Sequence, residues 1–458
     1  MKTDMTKGGI YGIILRFTIP LFLGNVFQTL YNMADTIIVG RTVGENALAA
    51  VGSTGTVMFL MQGLAVGLTT GFTVLTSQAF GAGDEKRMRH SVSNSVLLSL
   101  IFSAAITAIF VIAMRPLLHL MNTPDNIYED AYTYIIIIAW GLTCCVAYNL
   151  GSAMLRAVGN SRVPLYTLLF SAGLNVVLDL VFIINFHLGV AGAALATDVS
   201  QGLSSILCFV YIARKERSLI PLRGEWRIYK KDTGVQMQVA VPMALQFGIT
   251  ASGTMIMQSA INLFGSTAVA AITAAGKIQN ILTQGMVSMG QTMASFCGQN
   301  FGAGKFSRVR KSVRAALTIE VIYSLVSGAL ALLLTPHLLG FFFDAEADIP
   351  SLLPWANAYI GLCVTCYIPL SMIFIFRNVM QGCGYGLLPM LGGVVEFVSR
   401  LLMAVLAMTT LNSTFAIACD PFAWLTAGIF TGVAYLFVMK DIRRKHGEGV
   451  PDEERAAA

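Results

Sequence analysis

Long apolar runs, each about the length of a membrane-spanning helix, follow one another along almost the whole chain. Such a helix needs about 20 mostly apolar residues, and hydropathy predicts twelve of them, at 14–39, 47–79, 92–114, 130–155, 163–186, 190–213, 235–263, 268–299, 313–340, 353–380, 385–409 and 414–439. Only 12% of the 458 residues are charged, whereas soluble domains are about 25% charged. We therefore predict an all-α, polytopic membrane protein with twelve transmembrane helices.

Lysine and arginine are concentrated between the runs, mostly on one side of the predicted membrane. Because basic loops are retained on the cytoplasmic side, this distribution places both termini in the cytoplasm. The basic clusters therefore indicate membrane orientation and not nucleic-acid binding. We expect the lipid bilayer, but no nucleic acid, as a partner.

The sequence also contains an internal repeat. SQAFGAGDEKRMRHSV at 77–92 aligns with GQNFGAGKFSRVRKSV at 298–313, an offset of 221 residues, and LRAVGNSRVPL at 155–165 aligns with MQGCGYGLLPM at 380–390, an offset of 225. Pro20 aligns with Pro242 one residue off the first register. Two like halves with six spans each enter the membrane in the same sense, which is the parallel repeat found in many transporters.

The repeat and the charge distribution together define the predicted domains. These are an N-terminal six-helix bundle, a basic cytoplasmic linker, a C-terminal six-helix bundle and a cytoplasmic tail, at 1–212, 213–234, 235–440 and 441–458. Transporters built from repeats of this kind bind their substrate near the middle of the membrane, where the repeats meet.

Four polar residues form a stripe on the first predicted helix. Asn25, Gln28, Asn32 and Asp35 are spaced three, four and three residues apart, so they share one face. A carboxylate at the centre of a bilayer costs at least about 2.5–3.5 kcal/mol. A hydrogen-bonded seam between helices would explain the amides but does not need the acid. We therefore take Gln28 and Asn32 as candidate substrate-cavity residues and Asp35 as a candidate coupling group.

The fifth predicted helix carries a second polar pair, Asn175 and Asp179, which are four residues apart. No lysine or arginine lies deep inside the apolar runs of this half, so nothing there neutralises Asp35 or Asp179. Carboxylates beside a carboxamide can hold one proton or one small cation. We predict that Asp35, Asn175 and Asp179 form a coupling site for H⁺ or Na⁺, with no other metal. Asp198, on the sixth helix, has either a structural role or a place in the substrate cavity.

The second half carries charges of both signs within its apolar runs. Glu396 and Arg400 are four residues apart with the acid first, the favourable order for an intrahelical ion pair. We predict a self-neutralising pair, with substrate contact as the alternative. Lys277, on one face with Gln284, either lines the substrate cavity or extends to the outer interface. Arg377 is expected to extend to the cytoplasmic interface.

Several longer stretches resemble the multidrug and toxic compound extrusion (MATE) family, and its DinF-like branch in particular. Among them are LYNMADTIIVGRTVGENALAAVG at 30–52, LRAVGNSRVP at 155–164 and FCGQNFGAGKFSRVRKSV at 296–313, and the resemblance covers about 15–440. It implies a V-shaped pair of six-helix bundles that works by alternating access. It also implies export of lipophilic, often cationic compounds, driven by inward flow of H⁺ or Na⁺.

Carried over by position, the first-helix acid of the family falls on Asp35, and its fifth-helix asparagine and aspartate fall on Asn175 and Asp179. The family's first-helix proline, linked to bending of that helix, falls on Pro20. The glutamate that some branches carry in the seventh helix is absent from VPMALQFGITASGTMIMQSAI at 241–261, which favours coupling through the N-terminal half. The resemblance implies a monomer in the bacterial inner membrane, with small organic, cationic or amphiphilic substrates and no cofactor besides the coupling ion.

Two alternative functions compete with export. A flippase for lipid-linked precursors shares the broader superfamily, but its cavity should be strongly basic, whereas the interior of the N-terminal half has only acids. An intramembrane enzyme would need a constellation such as HExxH or GxSxG, and neither motif occurs. We therefore predict a transporter and not an enzyme.

Overall fold

The computed structural model describes residues 3–121, 123–343 and 348–447, and these contain helices and no strand. The α-helices are α1 Ile10–Thr42, α2 Glu45–Ser53, α3 Gly55–Ala82, α4 Glu85–Leu120, α5 Asp125–Trp140, α6 Leu142–Ala157, α7 Arg162–Leu180, α8 Gly189–Lys215, α9 Lys230–Asn262, α10 Ser266–Gly302, α11 Phe306–Leu338, α12 Ile349–Thr365, α13 Tyr367–Gly382, α14 Leu387–Thr410, α15 Ser413–Ile417 and α16 Cys419–His446. The predicted tail at 441–458 lies outside the described residues from position 448 onward.

Most of these helices are long and apolar enough to cross a membrane. Within the described ranges nine single helices meet this criterion, and two bent pairs, α5–α6 and α12–α13, bring the number to as many as eleven. The remaining predicted span, 268–299, coincides with α10, which is not among the eleven. The predicted all-α, polytopic fold is thus confirmed.

Local sequence explains where α3 ends and α4 begins. Gly83 has a φ of 72°, a left-handed conformation that glycine adopts without a steric penalty. The next residue, Asp84, caps α4, because its carboxylate accepts a hydrogen bond from the backbone N–H of Arg87 at 2.9 Å. The FGAGD stretch is therefore a helix-to-helix corner.

The chain forms two compact units, and two of the three boundaries between them fall inside helices. The first unit contains Leu23–Phe247 and the residues before Met5, and the second contains Met5–Phe22 and the residues from Gly248 onward. The predicted domains, by contrast, change over in the linker at 213–234. Helices α1 and α9 are each continuous, but one part of each helix belongs to the first unit and the other part to the second.

Within the first unit, the beginning of α9 packs closely on α3 and α4. The Gln236 amide donates hydrogen bonds to the Phe72 carbonyl at 2.9 Å and to the Ser95 hydroxyl at 3.0 Å. Gly71 lies so close to Ala240 that a side chain at position 71 would overlap the α9 backbone. Small residues allow membrane helices to approach in this way, so α9 starts as an integral part of the first unit.

Within the second unit, the N-terminal residues are held by the ends of α10 and α11. Met5 is buried, its N–H donates to the Gln299 side chain, and its carbonyl accepts from Asn300 and Arg308, each at 3.1 Å. Further along α1, the Thr18 and Thr292 hydroxyls are 2.8 Å apart. The first part of α1 therefore belongs structurally to the second unit.

Candidate functional site

Two aspartates meet in the interior of the first unit. Asp35 comes from the latter part of α1 and Asp179 from the end of α7, where the helix passes into a π-helical turn at Val181–Asn185. Asp35 is 8% exposed and Asp179 is fully buried. The two carboxyls lie close enough together to interact directly. Two carboxylates this close repel each other unless a proton or a small cation lies between them.

Asn175 completes this group from the preceding turn of α7. With its amide turned so that both of its groups are satisfied, it donates to Asp179 Oδ2 at 2.9 Å and accepts from the Thr197 backbone N–H at 3.1 Å. Asn175 is fully buried. The three residues of the predicted coupling site, which come from two helices far apart in sequence, are therefore brought together.

Two tyrosines surround the acids. Tyr31, one turn before Asp35, lies close to Thr197 on α8. Tyr134, on α5, is buried and lies within electrostatic range of both Asp35 and Asp179. Phenol and hydroxyl groups can donate to a carboxylate or offer an oxygen to a cation, so they extend the set of groups that could hold an ion.

A third acid, Asp198, lies beside this group at the bend between α5 and α6. The two helices are bent by 46° around Gly141, and the Asp198 carboxyl lies against that glycine so closely that a Cβ at position 141 would overlap it. Asp198 is half-buried and within electrostatic range of Tyr31 and Tyr134. The acid group thus extends to the point where this predicted span is interrupted.

Among the described residues, no fixed cation neutralises these acids. In the part of the chain that the structure describes, neither Asp35, Asp179 nor Asp198 forms an ion pair with lysine or arginine, and no donor reaches Asp35 Oδ1 or Asp179 Oδ1. Among the same residues no group of three or more His, Cys, Asp or Glu side chains could hold a metal ion. Two carboxylates and an amide can instead hold one proton or one monovalent cation.

The other residues of the predicted stripe on α1 lie outside this buried group. Gln28 and Asn32 are exposed and Asn25 is half-buried. Pro20 is half-buried within an uninterrupted helix, close to the position where α1 passes from the second unit to the first. Only the acid of the stripe is buried among the groups described above.

The second unit buries a different set of charges. The Arg400 Nε donates to Asp420 Oδ1 at 2.9 Å, and the second Asp420 oxygen accepts from the Tyr359 hydroxyl at 3.0 Å. Glu396 pairs with Arg400 at 3.5 Å and with Arg377 at 3.2 Å. All four charged groups are buried, and two positive charges balance two negative ones.

This network contains the predicted Glu396–Arg400 pair and corrects one expectation. Arg377 does not extend to an interface, because it is buried and paired with Glu396. Lys277 is exposed, and Gln284 is half-buried and donates to Asn280 at 2.8 Å. Glu320, on α11, is 2% exposed, and its Oε2 has no hydrogen-bond partner within the described ranges.

Several residues around these sites were not predicted from the sequence. Tyr31 could have been found, because it lies four residues before Asp35 and so on the same face of α1. Thr197 could also have been found, because it directly precedes Asp198, which was a candidate. Nothing in the local sequence pointed to Tyr134 or Asp420, because their partners come from other helices.

Comparison with known proteins agrees with this architecture. The family model described as MatE matches residues 20–181 and 242–406. The chain is 29% identical over 308 residues to a Bacillus subtilis protein named "Probable multidrug resistance protein YpnP", covering 67% of this chain and 68% of that one. It is 24% identical over 416 residues to the "FAD transporter" of Shewanella oneidensis, covering 88% of each.

A solved structure has the same fold. The chain matches the structure titled "Crystal structure of MATE in complex with MaL6" with a TM-score of 0.88 and 22% identity, covering 96% of this chain and 99% of that one. At this identity the match concerns the fold alone. The family match, in contrast, extends over both parts of the internal repeat, and it shows that this chain is a multi-pass membrane protein of the MATE family of multidrug efflux transporters.

Proposed function

We propose that this protein exports small lipophilic, cationic or amphiphilic organic compounds in exchange for H⁺ or Na⁺, and that the exchange takes place at Asp35 and Asp179. The protein works as a monomer in the bacterial inner membrane with both termini in the cytoplasm. The observation that carries the proposal is the close, buried pair of carboxyls, which forms no ion pair with a basic side chain among the described residues.

The chemistry follows from the proximity of two like charges. Two ionised carboxylates in contact repel each other strongly, so the pair is stable only with a proton or a small cation between them. Asn175 donates to Asp179 and fixes its orientation. Losing the proton or ion leaves an uncompensated buried charge, and that charge makes one conformation of the carrier unfavourable.

Transport requires that the two conformations bind the ion with different affinity. In the proposed cycle, the ion enters from outside, neutralises the pair and favours release of the drug. The return step then delivers the ion to the cytoplasm. A cationic drug and a small cation compete for the same negative region, which gives antiport and not cotransport.

The test is flux in proteoliposomes with an imposed pH gradient or an imposed Na⁺ gradient. We expect Asp35→Asn and Asp179→Asn each to reduce gradient-driven export of an organic cation such as ethidium to the level of protein-free liposomes, because neither leaves a pair that needs an ion. The gradient that drives wild-type export identifies the coupling ion.

Glu320→Gln is the matched control, since it neutralises another buried acid without a described partner, in the second unit. It should retain gradient-driven export. If Asp35→Asn exports at the wild-type rate under either gradient, the proposed exchange site is wrong.

The same assay separates the competing functions. A flippase would move a fluorescent lipid-linked substrate without a need for an ion gradient. A flavin dinucleotide, suggested by the Shewanella relative, is an anion and is not favoured by the acids of the first unit. We therefore expect FAD not to compete with ethidium for export.

A further inference from the structure

The internal repeat also relates the acid group of the first unit to the charged network of the second unit. The offset of 225 residues carries Tyr134 onto Tyr359. It also carries Gly141 onto Cys366, and these two residues occupy the bends of 46° and 52° in α5–α6 and α12–α13. The interrupted spans of the two units are therefore structural counterparts.

The next pair of helices extends this correspondence. ALATD at 194–198 aligns with AIACD at 416–420, an offset of 222 residues that carries Asp198 onto Asp420. In both units a buried tyrosine from the first arm of the bent span lies near this acid. The acid and the tyrosine are thus common to both units.

The units differ at the remaining positions. Asn175, which donates to Asp179 in the first unit, has Arg400 as its counterpart, and Asp179 itself has Ala404. The offset that aligns Pro20 with Pro242 gives Gly253 as the counterpart of Tyr31. A Cβ at Gly253 would be 3.2 Å from the Arg400 Nη1, so the missing side chain leaves room for the guanidinium.

We propose that the Arg400 guanidinium is a resident cation, which occupies in the second unit the repeat counterpart of the place where the first unit binds its exchangeable ion. It donates to Asp420 at 2.9 Å and approaches Glu396 at 3.5 Å. Asp420, with Tyr359, is therefore one side of a cation site that the protein fills with its own side chain. This inference rests on the proposed ion exchange at Asp35 and Asp179.

The proposal has a functional meaning. A guanidinium fixed to the chain cannot leave, so the second unit neither takes up nor releases an ion during the cycle. Coupling is then confined to one site per protein. Shortening Arg400 should open the second site to a free cation of the same chemical class.

The test is rescue by free guanidinium, measured as the Tm of the purified full-length protein in detergent. Arg400→Ala should lower the Tm, because it leaves Asp420 buried without its cation. Millimolar guanidinium or methylguanidinium chloride should restore most of that loss, while choline chloride at equal ionic strength should not. Wild type should not respond, because its site is already filled.

A control variant comes from the first unit. Arg156 is half-buried and donates to the Ser152 hydroxyl at 2.6 Å, and it pairs with no carboxylate within the described ranges. Arg156→Ala also removes a guanidinium, but it leaves behind no carboxylate that the guanidinium had paired with. Guanidinium should therefore not stabilise it beyond the effect of choline.

Two double variants keep the test informative if Arg400→Ala does not accumulate. Arg400→Ala with Glu396→Gln is neutral overall and retains Asp420, so guanidinium should raise its Tm. Arg400→Ala with Asp420→Asn is also neutral, but its remaining acid, Glu396, is held by Arg377, so guanidinium should have no specific effect.

Equal responses of these two double variants, or a response of Arg156→Ala as large as that of Arg400→Ala, would overturn the resident-cation proposal. The absence of any specific response to guanidinium would do the same. Because none of these measurements involves transport, failure of the proposed exchange at Asp35 and Asp179 would show separately in the flux assay.

Discussion

In the first unit, the Asp35 and Asp179 carboxyls lie close together and form no ion pair with a basic group among the described residues, whereas in the second unit Glu396 and Asp420 are held by two arginines. Both arrangements bury two acids. A neutralised network is stable in one form, while an unneutralised pair needs a proton or ion from outside. The comparison teaches that the position of fixed cations, more than the number of buried acids, distinguishes a site that can exchange ions from one that cannot.

The largest effect on stability should come from breaking the neutral network. Asp420→Asn leaves Arg400 buried without its closest partner, which should lower the free energy of unfolding by about 3–5 kcal/mol. Asp35→Asn removes a charge that has no fixed partner and should leave stability unchanged or raise it. Chemical unfolding in detergent micelles, followed by tryptophan fluorescence, measures both. Equal destabilisation by the two variants would contradict the proposed difference between the neutralised acids of the second unit and the unneutralised acids of the first.

A smaller effect should appear at the bends. Gly141→Ala places a methyl group on the Asp198 carboxyl, and overpacking of this kind costs about 1–3 kcal/mol. Gly173→Ala, on α7, is the matched control, because nothing lies within 4 Å of its Cβ position. Thermal unfolding should show the loss only for Gly141→Ala, and adding Asp198→Ala should recover it. If the double variant remains as unstable as Gly141→Ala, the added methyl group does not clash with Asp198.

The smallest effect should come from the linker of the first unit. The Arg89 guanidinium donates to Glu225 at 2.8 Å and lowers the pKa of that carboxyl. A lowered folded-state pKa stabilises the protein above the unfolded value and loses this contribution as pH falls through the folded value. We expect Glu225→Gln to lower the Tm slightly at pH 7 and the difference from wild type to shrink progressively as the pH falls below the ordinary glutamate pKa of about 4.3. A difference that stays constant with pH would contradict this reading.

Most of the fold follows from the sequence, because apolar runs of span length leave a chain little alternative to membrane helices. The convergence of Asp35 with Asn175 and Asp179 also follows in part, since a polar stripe on an apolar helix must face other protein or water. The family resemblance then named the three positions together. Their surroundings depend on packing between helices, which local spacing does not encode.

The missed features have the same cause. The sequence places Arg377 near the cytoplasmic end of its predicted helix and so predicts an interfacial position, but its partner Glu396 comes from the next helix. The unit boundaries inside α1 and α9 were not foreseen, because hydropathy marks where a helix is apolar but not which neighbours it packs against. Both questions are decided by contacts between segments distant in sequence.

Met5–Phe22 belongs to the second unit and the beginning of α9 to the first. This arrangement has a consequence for expressing the two halves of the chain as separate fragments. A cut in the linker would release two fragments, each with a helical arm whose packing surface is on the other fragment. Neither would be self-sufficient, although their co-expression could restore both arms.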